Sequence, residues 1–141
     1  YSLGLSPSPK REHDGAMKIT LFGIPNCDTV KKARAWLTAQ GLVYQFHHFA
    51  AQGVPAEHLK RWVDHCGWET LLNRRGTTWR KLSPEEQASA QDAASAQVLM
   101  LRHPSLIKRP VVEWPLAPGQ QITVGFDATA WAEHASALQN V

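Results

Sequence analysis

Cysteine is scarce in this chain. Cys27 and Cys66 are the two among 141 residues, where a small fold stapled by disulfides normally carries more. Residue 30 is Val, so Cys27 has no partner for a CxxC redox pair. Long apolar runs are missing too. Nothing approaches the roughly 20 residues of a membrane span, and no signal-peptide core is visible, so no membrane partner is expected. Charge is thin: 19% of residues are charged and the net value is +3. That suits anionic small ligands, whereas a nucleic-acid binder usually shows a clustered basic face, so none is expected as a partner. Internal repeats are absent, and so is low-complexity sequence beyond residues 1–16. Together these absences predict a protein of a reducing, cytoplasmic setting.

What is present is enough for one domain with a real core: 43% hydrophobic residues, six Trp among them. Residues 1–16 are rich in Ser, Pro, Gly and charge without a period. They read as a disordered leader or a cloning remnant, with residues 17–141 forming the domain and Met17 the expected start.

The chain is organised around residues 18–33. Ile19, Leu21 and Phe22 make a β-favouring run, and Gly23 and Pro25 break it. Asn26 is a good N-cap for a helix whose Val30, Ala33, Trp36 and Leu37 share one face, with Gly41 as the stop. Cys27 therefore falls in the first helical turn. Unpaired backbone N–H groups and the positive end of the helix dipole favour a thiolate there, lowering its pKa below about 8.5. Lys31 and Lys32 help; Asp28 opposes them. The plain alternative is a small apolar residue at a helix start. The strand–Cys–helix context favours a reactive thiol.

Residues 42–49 alternate, with Leu42, Tyr44 and Phe46 on one face, and predict a second strand parallel to the first. His47 and His48 then point to opposite faces and do not share a metal. The next helix opens at Pro55. Leu59, Trp62, Val63 and Cys66 form its buried stripe, which makes Cys66 a packing residue, and Gly67 closes it. His58 and His65 could share a surface, but further ligands for a metal are lacking. A short helical turn over 68–72 leads to a basic loop over 73–81, in which Arg74, Arg80 and Lys81 read as solvated. Ser83, Pro84, Glu85 and Glu86 make a capping box for a helix to about Ala90. Asp92 caps another, with Ala96, Leu99 and Met100 inward, ending before Pro104. Residues of about 54–106 thus form a helical insertion. Val111 to Trp114 and Gln121 to Val124 predict a hairpin through a turn over 115–119. Asp127 caps a last helix with Trp131, Ala135 and Leu138 inward.

Three separated segments carry a resemblance: residues 18–33 around Cys27, residues 71–82 (LLNRRGTTWRKL) and residues 107–112 (IKRPVV). In this order they resemble the arsenate reductase and Spx family, nearest its YffB-like branch. The resemblance implies an α/β, thioredoxin-like fold: a four-stranded mixed sheet with flanking helices and a helical insertion between βαβ and ββα halves. It implies a cis peptide at Pro110 beside the active Cys. It makes Cys27 the nucleophile, flanked by the matching Pro25 and Thr29, and Arg109 the anion anchor. Arg75, where an Asn-x-Arg-Gly pattern ends, is a second anchor, while Asn26 and Thr29 shape the thiolate site.

With no second Cys at residue 30, an outside thiol must resolve any adduct. The expected function is a glutathione-dependent monothiol reductase, with glutathione or another small thiol as co-substrate, no tightly bound cofactor and no metal. A monomer is expected. One alternative is an Spx-like protein-binding module that contacts RNA polymerase or another protein. It would use the insertion, the face of Lys31, Lys32 and Arg34, or the basic loop. A weaker alternative is arsenate reductase proper. Gly23, Asn73 and Gly125 stand where that activity has a His and two Arg, and an oxyanion adduct needs several positive groups around the sulfur.

Overall fold

The structure, a computed structural model, describes residues 18–116 and 120–139, with the backbone alone at residue 50. The leader expected over residues 1–16, the start at Met17 and the centre of the 115–119 turn lie outside the described residues. Strand β1 (Ile19–Gly23) leads into helix α1 (Asp28–Ala39), and strand β2 (Tyr44–His48) follows. Six helical segments come next: α2 (Phe49–Gln52), α3 (Ala56–Cys66), α4 (Trp68–Leu71), α5 (Thr77–Lys81), α6 (Pro84–Ser89) and α7 (Ala93–Arg102). A single 3-10 turn (Pro104–Leu106) precedes β3 (Val111–Trp114), then β4 (Gln121–Val124) and α8 (Ala128–Gln139) close the chain.

The sheet order is β2-β1-β3-β4. β1 and β2 are parallel, and β3 is antiparallel to both β1 and β4. This is the four-stranded mixed sheet expected of a thioredoxin-like fold. The period-2 alternation of the central strands divides the core. Phe22, Val111 and Ile122 face α3, where Leu59, Trp62 and Val63 join Leu99, Met100, Leu106 and Ile107. Leu21, Val112 and Trp114 face the other way, onto Val30, Leu37 and Trp131. Leu21, Trp62 and Trp114 are fully buried, each burial worth roughly 1.5–3 kcal/mol or more of hydrophobic stabilisation.

Several boundaries differ from the sequence expectation. The N-cap of α1 is Cys27, not Asn26. Cys27 is still extended (φ −98°, ψ 125°), and its carbonyl accepts the first helical bond, from Lys31 N–H at 2.9 Å. The chain leaves its turn one residue later than side-chain preference predicts. Pro55 is likewise the N-cap of α3 rather than its first helical residue. Part of the basic loop is helix α5, opened by an extended Gly76; its two threonines hide it, since β-branched residues weaken the helical signal. Helix α2 follows β2 directly and was not anticipated. Its first residue, Phe49, is buried against Phe22 and Trp62.

His58 is not on a shared surface with His65. It turns inward to Glu113, a carboxylate 2% exposed in the middle of β3. His58 Nδ1 lies 2.6 Å from Glu113 Oε2, Trp62 Nε1–H donates to the same oxygen at 2.8 Å, and Arg61 Nη2 stands 3.7 Å away. Arg61 Nη2 also lies 2.8 Å from His58 Nδ1, so imidazole, guanidinium, indole and carboxyl form one cluster. A charge this buried survives only when partnered in this way.

Candidate functional site

Three chain segments meet at one end of the sheet. β1 delivers Cys27 to the start of α1, β3 begins just after Arg109 and Pro110, and β4 ends just before Gly125. The register Phe22–Val111–Val124 aligns those ends. Gly23 makes the approach of α1 possible, because a Cβ there would lie 2.9 Å from Val30 Cγ2. The Arg109–Pro110 peptide is cis, and the Pro110 carbonyl accepts from Gly125 N–H at 2.8 Å.

Cys27 is partly exposed and not in a disulfide. Burial alone pushes its thiol up. The backbone N–H groups of Val30 and Thr29 and the Arg109 side chain favour the sulfur anion, and the charge of Arg109 adds to them. Together they outweigh the burial, and the thiol lies below its ordinary range. No side chain caps this helix, so its first N–H groups stay available to an anion at its start. Cys66 is the opposite case: burial pushes it up, and its thiol donates to the Ile122 carbonyl at 3.6 Å.

Of the residues singled out by sequence, Cys27, Thr29, Arg109 and Pro110 come together. Thr29 serves through its backbone N–H. Arg109 Nη1 donates to the Ser105 carbonyl at 3.1 Å, while its buried Nε has no partner among the described residues. Asn26 neighbours the sulfur in sequence but is exposed and does not cap the helix. Arg75 lies in a cavity of about 400 Å3 that also presents Asn73, Arg74 and Lys108, opposed by Glu69. This cavity borders the strap leading into Arg109: Asn73 N–H donates to Leu106 O and Lys108 N–H to Leu71 O, both at 2.8 Å. Arg74 is exposed, as expected of the loop, and its guanidinium lies over Trp68 and Trp79 at 5.4 and 5.9 Å. Sequence reasoning passed over Lys108, whose one signal was its position next to Arg109. Among the described residues no three His, Cys, Asp or Glu side chains are grouped to hold a metal, and no helix is long and apolar enough to cross a membrane.

A thiol lowered in pKa, with the Arg109 guanidinium favouring its anion, is suited to act as an attacking thiolate, and the cationic cavity is joined to it through Lys108, the neighbour of Arg109 in the chain. Comparison with known proteins identifies the family. Residues 22–134 match the ArsC family. A solved structure of a YFFB protein is 47% identical, covering 86% of this chain and 99% of that one with a TM-score of 0.75. An uncharacterised Haemophilus influenzae protein is 38% identical over 109 residues, 77% of this chain and 91% of that one. The global transcriptional regulator Spx of Streptococcus mutans is 26% identical over 112 residues, 77% of each chain. By the extent of this match and by its thioredoxin-like sheet, the protein belongs to the ArsC family.

Proposed function

We propose that the protein is a glutathione-dependent monothiol reductase of a reducing compartment such as the cytoplasm. The observation that carries this reading is the Cys27 sulfur, held toward its anion by two backbone N–H groups and Arg109. The thiolate attacks a sulfur of a glutathione mixed disulfide. A Cys27–glutathione disulfide forms, and the other thiolate leaves and takes a proton from water. A second glutathione thiolate then attacks the glutathione sulfur, releasing glutathione disulfide and restoring the Cys27 thiolate. Arg109 stabilises the sulfur anion consumed in the first step and regenerated in the second. Arg75 and Lys108 supply cationic ends for glutathione carboxylates.

Arsenate is a poorer fit, because Gly23 and Gly125 bring no side-chain cation to the sulfur. The test is the pH dependence of Cys27 alkylation, with glutathione adduct formation followed by mass. Arg109→Ala is expected to move the alkylation profile to higher pH and slow adduct formation. A profile that follows an ordinary thiol and is indifferent to Arg109 refutes the reading. A second reading, protein binding, draws on the similarity to Spx and on Val98 and Leu101, exposed on α7. Partner capture that survives Cys27→Ser would favour it.

A further inference from the structure

β4 is an edge strand, and among the described residues no further strand pairs with its outer side. Gly125 N–H donates to Pro110 O, so that pair is hydrogen-bonded. Antiparallel pairs alternate between bonded and non-bonded, so Val112–Thr123 and Trp114–Gln121 are also bonded. The main-chain groups of Ile122 and Val124 therefore point away from the sheet. The thiol of Cys66 confirms the direction, since it donates to the Ile122 carbonyl from that side at 3.6 Å. Among the described residues nothing bonds the outward N–H and C=O of Val124.

Beside this edge lies a cavity of about 340 Å3. Cys66 and Thr70 wall it on one face of the sheet, Ala130 and Trp131 on the other, with Val124 and Gly125 as its floor; Asp127 is the one charged residue of a lining that is otherwise mostly apolar. It sits at the Cys27 end of the sheet, whereas a larger cavity of about 460 Å3, lined by Arg61 and Gln120, sits at the far end of β4. From β1 to a strand added outside β4 is three strand spacings, about 14 Å, which an extended chain crossing the end of the sheet covers in about four residues. Unpaired main chain next to an apolar hollow matches an extended peptide: its backbone pairs with the edge and one apolar side chain enters the hollow.

We infer that the outer edge of β4 binds an extended, cysteine-containing peptide segment, which makes glutathionylated peptide or protein cysteines the substrate class of Cys27. This rests on the reductase reading. The peptide supplies the thiol that leaves when Cys27 takes the glutathione sulfur. Its thiolate is protonated by water, and a second glutathione completes the cycle as above.

The experiment compares two disulfides of glutathione: one with 2-mercaptoethanol, and one with a peptide bearing Leu four residues from its cysteine. The peptide is expected to have the higher kcat/KM. Its advantage should fall about tenfold in Ala130→Phe, and equally on N-methylation of the peptide backbone around Leu, a perturbation that leaves the protein intact. Reduction of both disulfides with no peptide advantage, or an advantage indifferent to both perturbations, overturns this inference and leaves the reductase reading standing. If neither disulfide is reduced, the reductase reading fails. The groove is then decided by amide NMR with the Cys→Ser peptide: shifts at Val124 and Gly125 uphold peptide binding, and their absence at millimolar peptide overturns it.

Discussion

His58→Ala should destabilise the fold far more than its partly exposed position implies. The carboxylate of Glu113 is 3% exposed and the imidazole beside it 33%. Removing His58 takes away the 2.6 Å partner and leaves Glu113 with the Trp62 indole and a guanidinium at 3.7 Å. A hydrogen bond to a buried charge contributes about 1.5–3 kcal/mol, and one weakened partner set is expected to cost about 2–3 kcal/mol. For a domain of this size that lowers Tm by about 6–12 °C. Urea unfolding of the variant against wild type measures it. Lys60→Ala removes an exposed ion pair to Asp64 on the same helix and serves as the control. Glu113→Leu is the second arm: it removes charge and partners together, so it should cost less than stranding the carboxylate. If His58→Ala changes stability no more than Lys60→Ala, the imidazole does not hold the buried charge and the reasoning fails.

Three further outcomes are expected. The folded Cys27 pKa lies below that of the unfolded chain, so its stabilising contribution is present above the unfolded pKa and fades as pH falls through the folded one. Stability measured by urea should therefore rise across that window in wild type, and the rise should shrink in Cys27→Ser. Gly23→Ala places a methyl 2.9 Å from Val30 Cγ2, an overpacking expected to cost about 1–3 kcal/mol and, by displacing the start of α1, to slow Cys27 alkylation. Arg75→Ala with Lys108→Ala should raise KM for glutathione several-fold with kcat nearly unchanged, because the pair contacts the carboxylates and not the reacting sulfurs; a fall in kcat at unchanged KM would place them elsewhere.

Much of the fold was legible because its signals are local. The two capping boxes, Ser83 with Glu86 and Asp92 with Ser95, are written within four residues and found as hydrogen bonds. The strand faces follow from alternation: Leu21 and Phe22 enter different cores because adjacent strand residues must. Glu113 was illegible for the converse reason. Its partner His58 is 55 residues away, and nothing in a Val-Val-Glu-Trp strand announces that the carboxylate faces inward.

The site itself divides along the same line. Cys27 was readable because a thiol at a strand–helix junction has its favourable amides within the next three residues, on Thr29 and Val30. Asn26 misled because N-cap preference ranks side-chain oxygens, whereas here the sulfur itself occupies the capping position and the amide is pushed out to solvent. Had Asn26 capped α1, its side chain would have taken the N–H groups that the sulfur needs. The uncapped helix start and the low thiol pKa are thus one fact: α1 leaves its amides without a neutral partner, and the sulfur collects them. Arg109 adds a charge from the far side of the fold, which only the pairing of β1 with β3 could deliver.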